Sequence, residues 1–248
     1  MFQTVAMDFS FLILLLLGAV LYSSVGHGGA SGYLALMALW GFAPETMKPW
    51  ALMLNICVSL IATIQFLRSE KPNWKLFLFL IAGSIPAAYI GASIHIEQEL
   101  YKKILGGLVL FQSVRLLMLQ PIKSTFDTEA PKPLLALLVG AVIGLLSGMI
   151  GIGGGIILSP LLIQLRWANM KQTALISAGF IFVNSISGLT AISPSIEMLS
   201  HDLLLALAIA IGGGILGGWL GSTKLNQKAM RITLGIVLLI AGAKLLLG

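Results

Sequence analysis

The side chains of this 248-residue chain that can do chemistry divide by position, and the division carries the first inference. Every carboxylate (Asp8, Glu45, Glu70, Glu97, Glu99, Asp127, Glu129, Glu197, Asp202) stands in a loop or at the end of an apolar run. Within the runs the polar residues are small and uncharged: His27, Ser31, Asn55, Ser59, Thr63, Gln65, Ser177, Asn184, Ser185 and Ser187. Carboxylates at membrane depth are the usual proton relays and cation ligands of pumps and carriers. Their absence argues against metal-cation carriage and against a carboxylate relay. Hydroxyls and carboxamides donate hydrogen bonds, which suits an anion.

Two glycine clusters interrupt the apolar runs: Gly26-His27-Gly28-Gly29-Ala30-Ser31-Gly32 and Gly151-Ile152-Gly153-Gly154-Gly155. A shift of 125 residues lays Val25 on Ile150, Gly26 on Gly151, Gly28 on Gly153 and Gly29 on Gly154; it also lays Ser59 on Asn184. Glycines break a helix and admit close approach of another backbone or a ligand. A helix that restarts after such a break presents free N–H groups and the positive end of its dipole to an anion. The expected substrate-binding set is therefore Gly26, His27, Gly28, Gly29, Ala30, Ser31, Asn55, Ser59, Gly151, Gly153, Gly154, Gly155, Asn184 and Ser185. His27 departs from its apolar counterpart Ile152, and histidine is the side chain that ordinarily changes charge near neutrality. It is the candidate carrier of a coupling proton, or else a donor to a neighbouring carbonyl. No catalytic residue, cofactor or metal site is expected, and one cysteine, Cys57, allows no intrachain disulfide.

The elements that must position these groups follow from composition. The chain is 58% hydrophobic and 10% charged, with mean hydropathy +1.00, against about 25% charged in a soluble domain. It reads as an all-α polytopic membrane protein. Net charge is +6, but the basic residues sit in short loops, where they orient a membrane protein; nucleic acid is not an expected partner, and the lipid bilayer is. No lysine or arginine precedes Leu12, so the first apolar segment is expected to be part of the fold rather than a secretory signal.

Helical segments are expected at 9–25, 31–42, 49–67, 74–93 and 102–119, and again at 134–150, 154–165, 172–192, 203–222 and 231–247. A span needs about 20 residues, so the second segment of each half is too short to cross. The first two segments of each half then form a glycine-broken hairpin, followed by three transmembrane helices. An odd number of net crossings per half makes the repeats inverted: 1–120 and 134–248, joined by a linker at 121–133. Charge supports this topology. Arg68, Lys71, Lys75, Arg115, Lys123, Lys132, Arg166, Lys171, Lys224, Lys228 and Arg231 fall on one side; Lys48, Lys102, Lys103 and Lys244 fall on the other. The richer side is cytoplasmic by the positive-inside rule, which puts loop 193–202 and both termini outside and the protein in the cell (inner) membrane.

Gly83, Ala87 and Gly91, echoed by Gly213, Gly217 and Gly221, form small-residue stripes on the fourth segments, expected to serve helix packing. Arg115 and Lys244, near the ends of the fifth segments, read as snorkelling anchors. The paired glycine turns, these stripes and the two-repeat layout resemble the TauE/SafE family of sulfite-exporter-type permeases, from about residue 10 to 247. The strongest part is Gly148 to Pro160; the first repeat departs with His27 in its turn and Ala35 in place of Pro160. The resemblance implies a carrier of sulfite, sulfonates or related organic anions. The expected function is a secondary transporter, most simply an exporter, alternating access around the two hairpin tips, with a proton as possible coupling ion. The alternatives are a passive anion channel and a rhomboid-type intramembrane serine protease, in which Ser31 of Gly29-Ala30-Ser31-Gly32 would need His95 or His201 as base. No phosphate-binding loop is present to supply energy from a nucleotide.

Overall fold

The structure is a computed structural model that describes residues 8–24, 26–118, 128–129, 131–195, 199–223 and 227–247. Val25, most of the 121–133 linker, Glu197 of the 193–202 loop and residues 224–226 lie outside the described residues.

Ten helices follow in order: α1 (Phe9–Ser24), α2 (Ala30–Leu39), α3 (Pro44–Ser69), α4 (Trp74–Ser93), α5 (Gln98–Met118), α6 (Pro133–Ile150), α7 (Gly155–Gln164), α8 (Met170–Ile192), α9 (His201–Thr223) and α10 (Gln227–Leu247). Helices α3, α4, α6, α8 and α9 are long and apolar enough to cross a membrane. At 10 residues each, α2 and α7 reach only about 15 Å. Helix α3 starts five residues before the expected 49. Pro44 occupies its first turn, where a missing N–H costs nothing, and Pro49 is taken in close behind.

Helices α3 and α8 pack on each other at the centre, with α9 against α3 and α4 against α8. Outside these, α1 lies on α9, α6 lies on α4, and α5 pairs with α10. Exchanging α1–α5 with α6–α10 leaves these pairings unchanged. The glycine stripes explain two of them. A Cβ at Gly83 or Gly91 of α4 would collide with the carbonyls of Leu137 or Leu145, and one at Gly140, Gly144 or Gly148 of α6 with those of Leu80, Ser84 or Ala88. Gly217 of α9 stands the same way against Val20 of α1. Backbones this close are what small residues at four-residue spacing provide in lipid.

The polarity of the fold is that of a membrane protein. Leu17, Leu78, Leu138, Ile215 and Trp219 point outward, at least half exposed, while Asn55, Ser59, Ser177, Asn184 and Ser185 are buried. The α1–α2 hairpin is closed at its open end. Asp8 accepts from the Phe11 N–H, the Ser10 hydroxyl and the Trp40 indole, donors that hold its carboxyl below the ordinary carboxylate value. Phe11 stacks on Phe42 and meets Trp40 edge-on at the same end.

Candidate functional site

Both hairpins turn at left-handed glycines. Helix α1 ends as His27 N–H donates to Tyr22 O (2.9 Å) and Gly26 N–H to Ser23 O (3.1 Å), with Gly26 left-handed at φ +76°. This is the Schellman ending, in which the left-handed position favours glycine. Gly151, at φ +88°, caps α6 by donating to Ser147 O. Gly29 (φ +93°) and Gly154 (φ +81°) then stand at the N-caps of α2 and α7. Two left-handed positions thus repeat at the 125-residue offset seen in the glycines, while Gly153 (φ +72°) has no left-handed counterpart at Gly28. A further echo, invisible in residue types, closes the short helices. Phe42 N–H donates to Met37 O after Gly41, and Trp167 N–H donates to Leu162 O after Arg166, a non-glycine at φ +54°.

The two turns converge on one carboxamide. A Cβ on Gly28 would stand 2.7 Å from Asn55 Oδ1 and 2.9 Å from Ile181 Cγ2; one on Gly153 would stand 2.8 Å from Asn55 Nδ2 and 2.7 Å from the same Ile181 methyl. Asn55 of α3 and Ile181 of α8 lie midway along the two central helices and touch both turns. The start of a helix leaves its first N–H groups without intrahelical acceptors. Those of Gly29 and Ala30, and of Gly154 and Gly155, meet no other acceptor among the described residues. Two helix N-termini therefore open onto the neighbourhood of Asn55.

Buried polar groups there are under-satisfied. Asn55 is fully buried; its Nδ2 makes one long contact to Ser185 Oγ (3.4 Å), and its Oδ1 has no partner. Asn184 is 1% exposed with both amide atoms unpartnered among the described residues. Its spacing of three residues from Ile181 puts it on the same side of α8, beside Ser185. Unpaired buried amides cost of order 1–3 kcal/mol each, a cost that a ligand or water completing them removes.

Not every expected residue points there. The Ser31 and Tyr22 hydroxyls share a hydrogen bond (2.6 Å) that ties α2 to α1. Ser59 donates to Asn55 O within its own helix. Half-buried His27 meets Ser159 of α7 through Nε2 (3.1 Å), and Ser159 meets Ser177 of α8 (2.8 Å), so the first turn is latched to the second hairpin. Gly26 packs on Ala174 and Phe66, and Gly151 on the stem of Lys48, whose Nζ donates to Ala92 O. The described carboxylates all sit outside helices or in their first turns, as the sequence requires. His95 and His201 are exposed, while Ser31 is buried.

Ile181 and Ser159 escape the sequence reading because an isoleucine in an apolar helix, or one serine among many, gives no signal. Arg115 was legible in hindsight. Pro160, inside α7, has no N–H for the carbonyl four residues earlier, Ile156. The Arg115 guanidinium donates to that carbonyl at 3.3 Å. Lys244 similarly reaches Leu39 O at the end of α2 (2.7 Å).

The chain matches the family described as sulfite exporter TauE/SafE over residues 10–245. It is 38% identical over 232 residues to the probable membrane transporter protein y4hK of Sinorhizobium fredii, covering 92% of this chain and 94% of that one. Against the probable membrane transporter protein YjnA of Bacillus subtilis the identity is 25% over 260 residues, 97% of this chain and 100% of the relative. No solved structure matches.

Proposed function

The chain belongs to the sulfite exporter TauE/SafE family of membrane transporters, and from that premise we propose that it is a secondary transporter of a small sulfur-containing or organic anion, bound between its two glycine turns. The observation that carries this reading is the meeting of both turns at Asn55, a buried carboxamide with an unsatisfied oxygen, beside two helix N-termini. Helix N-termini stabilise anions without buried lysines. Broken backbone at depth is the usual site of a transporter's substrate.

In this reading the two five-helix units are inverted repeats that rock against each other, with the loop 193–202 and both termini outside the cell's inner membrane and 68–75 in the cytoplasm. Export is the direction the family description favours. A coupling proton has two places to ride, His27 or the substrate. The His27–Ser159–Ser177 chain joins one hairpin to the other, and its counterparts in the opposite arrangement, Ile152 and Leu34, are apolar. A protease reading gains nothing from Ser31, whose hydroxyl is taken by Tyr22 and whose proposed histidine bases are exposed. Similarity to named transporters also favours a non-enzyme.

The test is the purified protein in liposomes, assayed for flux of sulfite, sulfate, thiosulfate and sulfonates with and without a pH gradient. Saturable flux of at least one of these anions supports the proposal. Absence of flux for the whole panel in folded protein contradicts it.

A further inference from the structure

The chemistry of the two buried asparagines narrows the substrate class, on the premise that the site described above binds an anion. A carboxamide is both a donor and an acceptor. An oxyanion without a proton offers only acceptors, so it satisfies amide N–H groups and leaves amide oxygens facing negative charge. Asn184 has both Nδ2 and Oδ1 unpartnered among the described residues, so turning the amide over does not relieve the mismatch. Asn55 keeps one unpaired amide atom in either orientation, because Ser185 Oγ is its single partner. A ligand that completes these groups must supply a donor as well as acceptors.

Charge points the same way. Each helix N-terminus is equivalent to roughly half a positive charge, so α2 and α7 together offset about one negative charge. Two cations stand nearby: Lys48, seven residues before Asn55 on α3 and about 10 Å along the helix, donates to Ala92 O, and Arg115 of α5 donates to Ile156 O in the first turn of α7. A dianion would bring a second charge into a buried place whose neighbouring cations are already held by backbone carbonyls, which is costly at low dielectric.

We propose that the site selects singly charged oxyanions that carry a hydroxyl donor, such as hydrogen sulfite or a hydroxyalkanesulfonate, and rejects dianions. When the substrate titrates, the proton that crosses the membrane is the one on the substrate. This accounts for a transporter core whose described carboxylates all lie at helix ends or outside helices.

The titratable and charged groups packed around the site are His27 on the first turn, Tyr22 on α1, Tyr33 on α2, Lys48 and Cys57 on α3, and Arg115 of α5 at the first turn of α7; α7 itself brings none, and the lysine of α8, Lys171, stands at its start. The experiment controls for them with ligands that do not titrate. Binding of sulfite, sulfate, ethanesulfonate and 2-hydroxyethanesulfonate to the detergent-purified protein is measured by calorimetry at pH values from about 6 to 9.

2-Hydroxyethanesulfonate is expected to bind about tenfold or more tighter than ethanesulfonate, the effect of leaving a buried polar group unpaired. Total-sulfite affinity, divided by that of 2-hydroxyethanesulfonate at the same pH, should fall about tenfold per pH unit above the second pKa of sulfite. Sulfate should not compete. Asn184→Leu should bring the ratio of 2-hydroxyethanesulfonate to ethanesulfonate affinity close to one, whatever it does to ethanesulfonate binding itself; an undiminished ratio counts against the inference. Sulfate binding as tightly as 2-hydroxyethanesulfonate, or a flat sulfite ratio, overturns this inference and leaves the anion-transporter reading standing. If no anion of the panel binds, both fall.

Discussion

Gly28 offers the sharpest perturbation of the site, because its φ is not left-handed and alanine there meets a steric effect alone. An alanine Cβ would stand 2.7 Å from Asn55 Oδ1 and 2.9 Å from Ile181 Cγ2. Ordinary contact begins at 3.4 Å, so the carboxamide must retreat by 0.7 Å in a packed interior. Overpacking of this kind costs about 1–3 kcal/mol. A hydrogen bond displaced from its ligand loses about 1–1.5 kcal/mol, or about tenfold in affinity. We predict that Gly28→Ala folds, weakens anion binding about tenfold and slows flux in liposomes. Gly153→Ala adds the strain of a left-handed alanine at φ +72°, about 1–2 kcal/mol more, and should be the worse of the two. Gly107→Ala, with nothing within 4 Å of its added carbon, is the control. Wild-type affinity in Gly28→Ala would place the anion away from Asn55 and refute the reasoning.

Three further outcomes follow from the same geometry. Arg115→Met should lower thermal stability by about 1–3 kcal/mol by stranding the Ile156 carbonyl; in Arg115→Met with Pro160→Ala the loss should largely vanish, and an undiminished loss would deny the link. His27→Gln keeps a partner for Ser159 and should leave the pH profile of sulfite affinity unchanged; a flattened profile would assign the proton to the histidine. In a Cys57-free background, a cysteine at Asn226 should resist an impermeant reagent added outside intact cells, and its labelling would sink the inverted arrangement.

How much of this was readable beforehand depends on what signals a residue type carries. Helix α4 was legible to both ends because Asn73 and the apolar run from Trp74 mark a start and Ser93 ends it. The glycine turns were legible because left-handed backbone selects glycine, and the echo at Gly26/Gly151 and Gly29/Gly154 records a shared conformation. The start of α5 was not: Glu99, Lys102 and Lys103 look like loop, but Glu99 and Lys103 pair across one helical turn at the surface. Arg166 was missed because an arginine gives no hint of positive φ. The convergence on Asn55 is a tertiary fact. It depends on which face of α3 meets the hairpins, and in a helix apolar on most sides periodicity does not reveal that. The partner of Ser31 was not legible either: beside a glycine turn its hydroxyl gives no hint of the 2.6 Å bond it shares with Tyr22.

The most direct test of the central claim is Asn55→Leu, followed by sulfite and sulfonate flux in liposomes at equal reconstituted amounts and by thermal unfolding of the same protein. Leucine removes an amide that the fold leaves unsatisfied and fills similar space, so stability should hold or rise, while flux is lost. A variant that is stable and transports like the parent would contradict the assignment of the anion site to the meeting point of the two glycine turns.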